Sequence, residues 1–312
     1  MKVAVVGAGG IGSLFGGRLA ADGHEVWLIH RRASVVDALH RDGLRLVGAS
    51  GEEQIGVQAT DDPAQIGTVD LVIVATKAFD TPSAANAAGH LVGPETVVLT
   101  VQNGLGNFET LSESLGAERL LVGMTYAGAA VLAPGRVRHT AAGKTVIGEP
   151  VGRVSERARC LAATLSRAGL PTEATDRLWD EVWGKLLINA ALNATCALTG
   201  ASGTDVLASH AAREWTGLVA EETARVAAAT GVRLPYSSAT ARALRHCQDI
   251  TDAKPSMLQD VEGARPTEID AINGAIVREG ERVGVPTPYN TALVLLVRMR
   301  EDVTRRAAVT PS

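Results

Sequence analysis

The sequence predicts an α/β chain with two domains: a parallel β-sheet covered by helices on both faces, followed by an all-helical domain. Two features of the 312-residue chain predict the order of the domains. Short apolar strands alternate with helical patterns in the first half, which requires crossover connections between parallel strands. From about residue 175 onward the strand patterns stop and long helical patterns follow one another. We therefore place the domains at residues 1–170 and 171–312, with the ligand cleft expected between them.

The elements of the first domain are predicted from apolar runs and turn residues. The strands are predicted at Val3–Val6, Val26–Ile29, Val69–Ala75, Thr96–Thr100 and Leu120–Tyr126. Helices are predicted at Ser13–Ala21, Ser34–Arg41, Ser83–His90, Gly106–Leu115 and Val154–Ala168. Two further strands, Arg136–His139 and Thr145–Gly148, are predicted to pair as a hairpin around Ala142-Gly143.

The second domain is predicted to contain helices alone. The helices are predicted at Asp176–Leu198, Ala211–Thr230, Ser238–Cys247, Pro266–Val283 and Pro288–Arg305.

Composition and charge exclude several classes of protein. The net charge is −4 and the isoelectric point near 6.0, which argues against a nucleic-acid partner but leaves a local basic patch open. The apolar runs are of strand length, so no membrane span is expected, and the first residues form a core strand rather than a signal peptide. The three cysteines suggest neither a metal site nor a disulfide framework, which indicates a cytoplasmic protein.

A glycine-rich turn, GAGGIG at residues 7–12, joins the first strand to the first helix. Gly7 permits a tight turn, Gly9 lets the backbone approach a pyrophosphate, and Gly12 lets the helix pack closely on the strand. The N–H groups at the start of the helix then face the phosphates. This context favours a Rossmann-type site for a nicotinamide or flavin cofactor over an ordinary tight turn between a strand and a helix.

The second strand is followed by His30-Arg31-Arg32, where an NAD-selective site would have an acidic residue for the ribose 2′-hydroxyl. A guanidinium can donate two parallel hydrogen bonds to a 2′-phosphate. The residues therefore favour NADP(H) over NAD(H). The alternative is that these arginines are ordinary solvated side chains.

A polar stripe is predicted on the first helix of the second domain. Lys185, Asn189 and Asn193 are spaced by four residues, so they lie on one side of that helix among Leu, Ile and Ala. A cation and two amides in an apolar setting suit a small polar ligand, and the lysine can point at a carbonyl oxygen. The alternative is a solvated helix face.

Three other segments carry weaker signals. Ser256 and the pair Thr267-Glu268 stand at predicted helix starts, where helix capping is the favoured interpretation from the segment alone. Lys77 and Asn103 follow predicted strands at the edge where ligands bind in such sheets, but Asn103-Gly104 is also typical of a turn.

Taken together, these segments identify a family. The motifs are GAGGIG at 7–12, TKAFD at 76–80, QNGLG at 102–106, TYAGA at 125–129, WGKLLINAALN at 183–193 and SMLQDVEGARPTEIDAINGAIV at 256–277. Through them the chain resembles the ketopantoate reductases (2-dehydropantoate 2-reductases) nearly from end to end. The resemblance implies NADPH-dependent reduction of ketopantoate, a small 2-oxo acid, to D-pantoate on the route to pantothenate and coenzyme A.

The resemblance also implies roles for single residues. Lys185 would be the general acid, and Asn103, Lys185, Asn189, Asn193 and Ser256 would bind the substrate. The cofactor would be bound by Gly7, Ala8, Gly9, Gly10, Ile11, Gly12, Arg31, Lys77, Asn103, Ala129 and Glu268. No metal is implied, and a homodimer is left open.

One position departs from the family pattern. The best-matched members have a further substrate-binding asparagine ten residues after the one that matches Asn193, and here that position is Gly203. Ser202 or Thr204 would be the substitutes, or the pocket accepts another acid. The alternative functions are reduction of another 2-oxo acid or imine on the same fold and, from another class, a non-catalytic NADP(H) sensor.

Overall fold

A computed structural model describes residues 1–49, 51–249 and 254–309. It confirms the predicted fold class, a parallel-dominated sheet followed by helices. The chain forms two compact units: Met1–Gln102 with Gly106–Leu178, and Asn103–Leu105 with Trp179–Ser312.

The strands, in chain order, are β1 (Lys2–Val6), β2 (Glu25–Ile29), β3 (Leu44–Gly48), β4 (Gly51–Ile55), β5 (Gln58–Thr60), β6 (Leu71–Val74), β7 (Val97–Thr100), β8 (Leu120–Thr125), β9 (Gly128–Ala133), β10 (Arg136–Ala141), β11 (Thr145–Gly148) and β12 (Thr172–Ala174). The helices are α1 (Gly10–Ala21), α2 (Ala33–Asp42), α3 (Thr81–Gly89), α4 (Asn107–Leu115), α5 (Glu156–Arg167), α6 (Leu178–Thr199), α7 (Gly203–Ala208), α8 (His210–Ala229), α9 (Ala239–Asp249), α10 (Ser256–Glu262), α11 (Asn273–Val283) and α12 (Pro288–Val309).

The first unit contains the main sheet. Among the described residues, eight strands lie in the order β12-β11-β8-β7-β6-β1-β2-β5, all parallel except where β11 runs antiparallel to β8. In β1, Val3 and Val5 pack into one core with α1 and α5, while Ala4 and Val6 pack into a second core with α3 and α4. Both faces of β1 are buried, which explains its unbroken apolar run.

The predicted hairpin of residues 136–139 and 145–148 is wrong, although both segments are strands. β10 belongs to a second sheet, of order β4-β3-β10-β9, which was not predicted, whereas β11 pairs with β8 in the main sheet. The burial patterns give the reason. β11 is buried at all four residues, but β10 alternates around the buried Val137 and is otherwise largely exposed.

The carboxyl end of the first unit lies beyond the predicted boundary at residue 170. β12 pairs in parallel with β11, so the segment up to Leu178 belongs to the first unit.

The second unit is helical in its described residues, with two departures from the predicted elements. α7 was not predicted, and α11 begins at Asn273 instead of Pro266. Residues 269–272 instead form a turn, in which the N–H groups of Ala271 and Ile272 both donate to the carbonyl oxygen of Glu268. In the part of the chain that the structure describes, no helix is long and apolar enough to cross a membrane.

Candidate active site

The glycine-rich turn of the first unit has a backbone that needs glycine. Gly7 has φ of +101°, and the N–H groups of Gly7 and Ala8 both donate to the carbonyl oxygen of Ile29. A Cβ added at Gly12 would lie 2.1 Å from the carbonyl oxygen of Gly7, so a side chain there would require α1 to move away from the turn. A Cβ at Gly9 would meet no atom within 4 Å. Space therefore lies beside Gly9, at the start of α1, where a pyrophosphate would be held.

The turn also lies against residues that the resemblance linked to it. A Cβ at Gly10 would lie 2.5 Å from the carbonyl oxygen of Ala129, in β9. A Cβ at Gly7 would lie 2.8 Å from Thr76, the residue before Lys77. The structure thus brings Ala129 and the segment that carries Lys77 to the glycine-rich turn, in which Ile11 already belongs to α1. These residues fit a dinucleotide, because small residues surround the start of α1, and the N–H groups of a first helical turn have no acceptor within the helix and can bind phosphate oxygens.

Arg31 follows β2 and is largely exposed, with 72% of its side chain accessible. Its Nη1 donates a hydrogen bond to Oδ1 of Asp80 over 3.1 Å. Asp80 is the last residue of a short 3₁₀ helix, Ala78–Asp80, for which Lys77 is the N-cap residue. The segment between β6 and α3 therefore reaches the residue that the sequence assigns to a 2′-phosphate.

The polar stripe of the second unit lies on a buried helix. Between Val182 and Ala197 all residues of α6 are buried except Lys185 and Asn189, which are half-buried. Asn193 is buried, with 7% of its surface accessible. The solvated-face alternative is therefore wrong, and the stripe is a set of polar groups within an apolar region.

Lys185 forms a cluster with Asn103 and Glu268. Its Nζ donates to Oδ1 of Asn103 over 2.7 Å, and Nδ2 of Asn103 donates to Oε2 of Glu268 over 3.5 Å. Burial lowers the pKa of Lys185 to about 8, an effect that the Glu268 carboxylate opposes. An ammonium with such a pKa can release its proton near neutral pH, which is what a general acid requires.

Contacts with backbone carbonyl oxygens connect the segments that carry this cluster. The N–H of Leu105 donates to the carbonyl oxygen of Ala271 over 3.0 Å. Gly104 has φ of +83°, and a Cβ there would lie 2.3 Å from the same oxygen. Nδ2 of Asn273 donates to the carbonyl oxygen of Ala190 in α6 over 3.1 Å. The turn at 269–272 thus contacts the Asn103 loop, and the first residue of α11 contacts the helix that carries Lys185.

Ser256 lies close to the same helix. Nδ2 of Asn193 donates to its Oγ over 3.4 Å. The capping interpretation is wrong here, because Ser256 is the first residue of α10 and Pro255 is the N-cap residue. It is also wrong for Thr267-Glu268, because α11 begins at Asn273.

Two residues of this region were missed by the sequence. Gln102 donates from Nε2 to Thr76 and to Oγ1 of Thr81, which fixes the end of β7; its position in QNGLG was the available signal. His246 of α9 lies near Lys185, and its pKa is lowered to about 4 by burial first and then by the charges of Arg242 and Lys185. No motif distinguished His246. Within the described residues, no group of His, Cys, Asp and Glu side chains could hold a metal ion.

Comparisons with known families agree on one assignment. Residues 3–152 match the family described as Ketopantoate reductase PanE/ApbA, and residues 177–301 match Ketopantoate reductase PanE/ApbA C terminal. The 2-dehydropantoate 2-reductase of Halobacterium salinarum is 34% identical over 302 residues, which cover 96% of this chain and 99% of the relative. The enzyme of that name from Archaeoglobus fulgidus is also 34% identical, over 95% of this chain and 97% of its own.

Solved structures are similar over the same length. A PanE/ApbA family ketopantoate reductase from Ralstonia eutropha JMP134 has a TM-score of 0.90 and 37% identity, covering 98% of this chain and 100% of its own. A D-mandelate dehydrogenase with NADH and anilino(oxo)acetate has a TM-score of 0.91 and 29% identity, with the same coverage.

Proposed function

The chain belongs to the ketopantoate reductase family, and on that premise we propose that it reduces 2-dehydropantoate to D-pantoate with NADPH. The family makes it an oxidoreductase, and the product would serve pantothenate and coenzyme A biosynthesis. The observation that carries the proposal is Lys185, an ammonium of lowered pKa on a buried polar stripe, hydrogen-bonded to Asn103 and near Glu268.

Reduction of a ketone needs a hydride at carbon and a proton at oxygen. NADPH supplies the hydride when bound. Lys185 donates the proton to the ketone oxygen, so that no alkoxide accumulates, and takes a proton from solvent afterwards. Asn103 orients the ammonium through Oδ1, and the carboxylate of Glu268 favours its protonated form.

The 2-oxo acid would be bound by amide and hydroxyl groups beside Lys185. Asn189 and Asn193 follow it on α6 at successive turns, and Ser256 is hydrogen-bonded to Asn193. These groups can bind the hydroxyl and carboxylate of the substrate and fix its carbonyl relative to the lysine.

The cofactor would be held by the glycine-rich turn of residues 7–12, with Ala129 and Lys77 beside it and Arg31 on the 2′-phosphate. Asn103 and Glu268 would contact its nicotinamide end. The preference for NADPH rests on Arg31, because a guanidinium suits a phosphate dianion.

A second candidate is the reduction of another 2-oxo acid. The similarity to a D-mandelate dehydrogenase, together with Gly203 in place of an asparagine, supports it. Of the suggested substitutes, Ser202 caps α7, with its Oγ hydrogen-bonded to Asp205.

The oxidation of NADPH, followed by absorbance, tests both candidates. Ketopantoate should be compared with pyruvate, 2-oxoisovalerate and phenylglyoxylate. A kcat/KM for ketopantoate of about 10⁴ M⁻¹s⁻¹ or more, above the other acids, is expected. Preference for another acid would support the second candidate, and no turnover with any of them would contradict both.

We place this reaction in the cytoplasm, as the free state of Cys160, Cys196 and Cys247 suggests. A homodimer stays a prediction, which the mass of the protein in solution would test.

A further inference from the structure

The ion pair between Arg31 and Asp80 has no role in the proposed reaction. It joins the loop after β2 to the segment after β6, the two strands that flank β1 and its glycine-rich turn. Both residues lie in the first unit, and the pair therefore crosses the edge of the sheet at which a dinucleotide is expected.

Asp80 stands at a position where an aspartate usually serves its own helix. It is the N-cap residue of α3, and aspartate is among the preferred residues there because its carboxylate accepts an N–H of the first turn. The Asp80 side chain makes no such capping hydrogen bond to any residue in 51–249, the continuous range that the structure describes around it. Its Oδ1 instead accepts from Arg31, so the carboxylate is directed at the arginine and not at the helix.

The accessibility of the two side chains shows which one can change partner. The Arg31 side chain is 72% accessible and that of Asp80 27%. An exposed ion pair of this kind contributes little to stability, so Arg31 can exchange one anion for another at small cost. Asp80 would then be released close to the first N–H groups of α3, where Ser83 occupies the third helical position.

We infer that Asp80 reduces the preference for NADPH over NADH by competing with the 2′-phosphate for Arg31. The inference rests on the proposed function, in which Arg31 binds that phosphate. NADPH must displace the carboxylate from the guanidinium before it can bind with full affinity. NADH has no 2′-phosphate and leaves the ion pair in place, so Asp80 weakens the binding of NADPH alone.

The test is the dissociation constant of each reduced nucleotide, measured from its fluorescence without any 2-oxo acid. Asp80→Asn keeps a side chain that caps helices but removes the negative charge, and Asp80→Ser serves if the first variant does not fold. We expect Kd for NADPH to fall about two- to fivefold, the range for an exposed ion pair, with Kd for NADH unchanged. The gain should shrink at high ionic strength.

Two controls separate this exchange from a general effect of charge. Asp42→Asn removes the carboxylate of another exposed pair in the same unit, Arg41 with Asp42, and should change neither constant. In an Arg31→Ala background, Asp80→Asn should give no gain for NADPH, because the competition needs the arginine.

Three outcomes would overturn the inference: an unchanged ratio of the two constants in Asp80→Asn, an equal change in Asp42→Asn, or the same gain without Arg31. The last would mean that Asp80 acts by long-range repulsion. Failure of the wild-type protein to bind either nucleotide would contradict the proposed function itself. Binding of both with an unchanged ratio would contradict only the role of Asp80.

Discussion

Among single residues, Lys185 determines the pH dependence that we expect for the reaction. Burial lowers its pKa from the ordinary value of 10.5 to about 8. The reduction needs the protonated amine, so we expect kcat/KM to be constant near neutral pH and to fall as the pH rises through about 8. Rates of NADPH oxidation across this range would check it. A rate that stays constant up to a pH near the ordinary pKa of lysine would contradict the assignment.

Glu268 gives a second prediction for the same profile. Its carboxylate raises the pKa of Lys185 against the effect of burial. Glu268→Gln keeps the size of the side chain but removes the charge, so the fall in rate should move to lower pH. Glu262→Gln is the control, because that carboxylate is exposed and paired with Lys254. A profile that moves in neither variant would show that Glu268 does not act on the charge of Lys185.

Removal of the lysine separates catalysis from nucleotide binding. Lys185→Ala should lower kcat about 10²- to 10⁴-fold, the range for loss of a general acid, while Kd for NADPH stays close to the wild-type value. Lys254→Ala, which removes an exposed lysine of the same unit, should leave kcat unchanged. Equal turnover in Lys185→Ala and the wild type would remove Lys185 as the acid.

Among the elements, the glycine-rich turn distinguishes two kinds of glycine. Gly12→Ala should destabilise the fold, because its Cβ would lie 2.1 Å from a backbone oxygen. Gly9→Ala should fold normally, since its Cβ meets no atom within 4 Å, but should lower the affinity for NADPH by occupying the space of the pyrophosphate. Thermal unfolding and nucleotide titration of both variants would check this. Normal affinity in Gly9→Ala would place the pyrophosphate elsewhere.

The position that departs from the family pattern is explained by the packing of two helices. Gly203 is the first residue of α7, and a Cβ there would lie 2.9 Å from the carbonyl oxygen of Cys247 in α9. An asparagine would therefore require α7 or α9 to shift. α9 also carries His246, whose pKa is lowered in part by the charge of Lys185, so a shift of α9 would change the surroundings of the lysine.

The sequence predicted the elements well where local patterns determine them. The apolar runs and the glycine-rich turn identified β1, β2, β6, β7 and β8, since buried parallel strands show such runs. The second sheet was missed because two of its strands have almost no buried residues: β4 (Gly51–Ile55) is exposed except at Ile55, and no residue of β9 is buried. Its pairing partners are also distant in sequence, with β3 beside β10. Local periodicity carries no information about such contacts.

On the scale of the whole molecule, the cluster around Lys185 shows what a sequence leaves open. Spacing by four residues predicted that Lys185, Asn189 and Asn193 share a face of one helix. Asn103 and Glu268 come from segments 82 residues before and 83 residues after Lys185, so only the folded chain brings them together. The family resemblance implied that Glu268 binds the cofactor, whereas the residue pattern alone favoured helix capping.

Buried hydrogen bonds connect helices of the second unit, which has no sheet in its described residues. Glu222 in α8 is fully buried and accepts hydrogen bonds from the N–H groups of Tyr289 and Asn290 and from Nδ2 of Asn290, at the start of α12. Asn273 donates to Oδ1 of Asn290 and to the carbonyl oxygen of Ala190. These hydrogen bonds thus connect four helices, α6, α8, α11 and α12. In the unfolded chain the same side chains would hydrogen-bond to water, so in the folded chain they need these partners.

Glu222→Leu should therefore lower the free energy of unfolding by about 3 kcal/mol or more, because it removes the acceptor of the N–H groups of Tyr289 and Asn290 and one of the two acceptors of Nδ2 of Asn290. Glu222→Gln, which keeps one acceptor oxygen, should cost less. Urea unfolding followed by tryptophan fluorescence would measure both, since Trp215 packs edge-on against Tyr289 next to the network. Kd for NADPH of the folded variants should stay near the wild-type value, because the glycine-rich turn belongs to the first unit. An equal loss of unfolding free energy in the two variants would show that the packing of the helices, not these hydrogen bonds, stabilises the second unit.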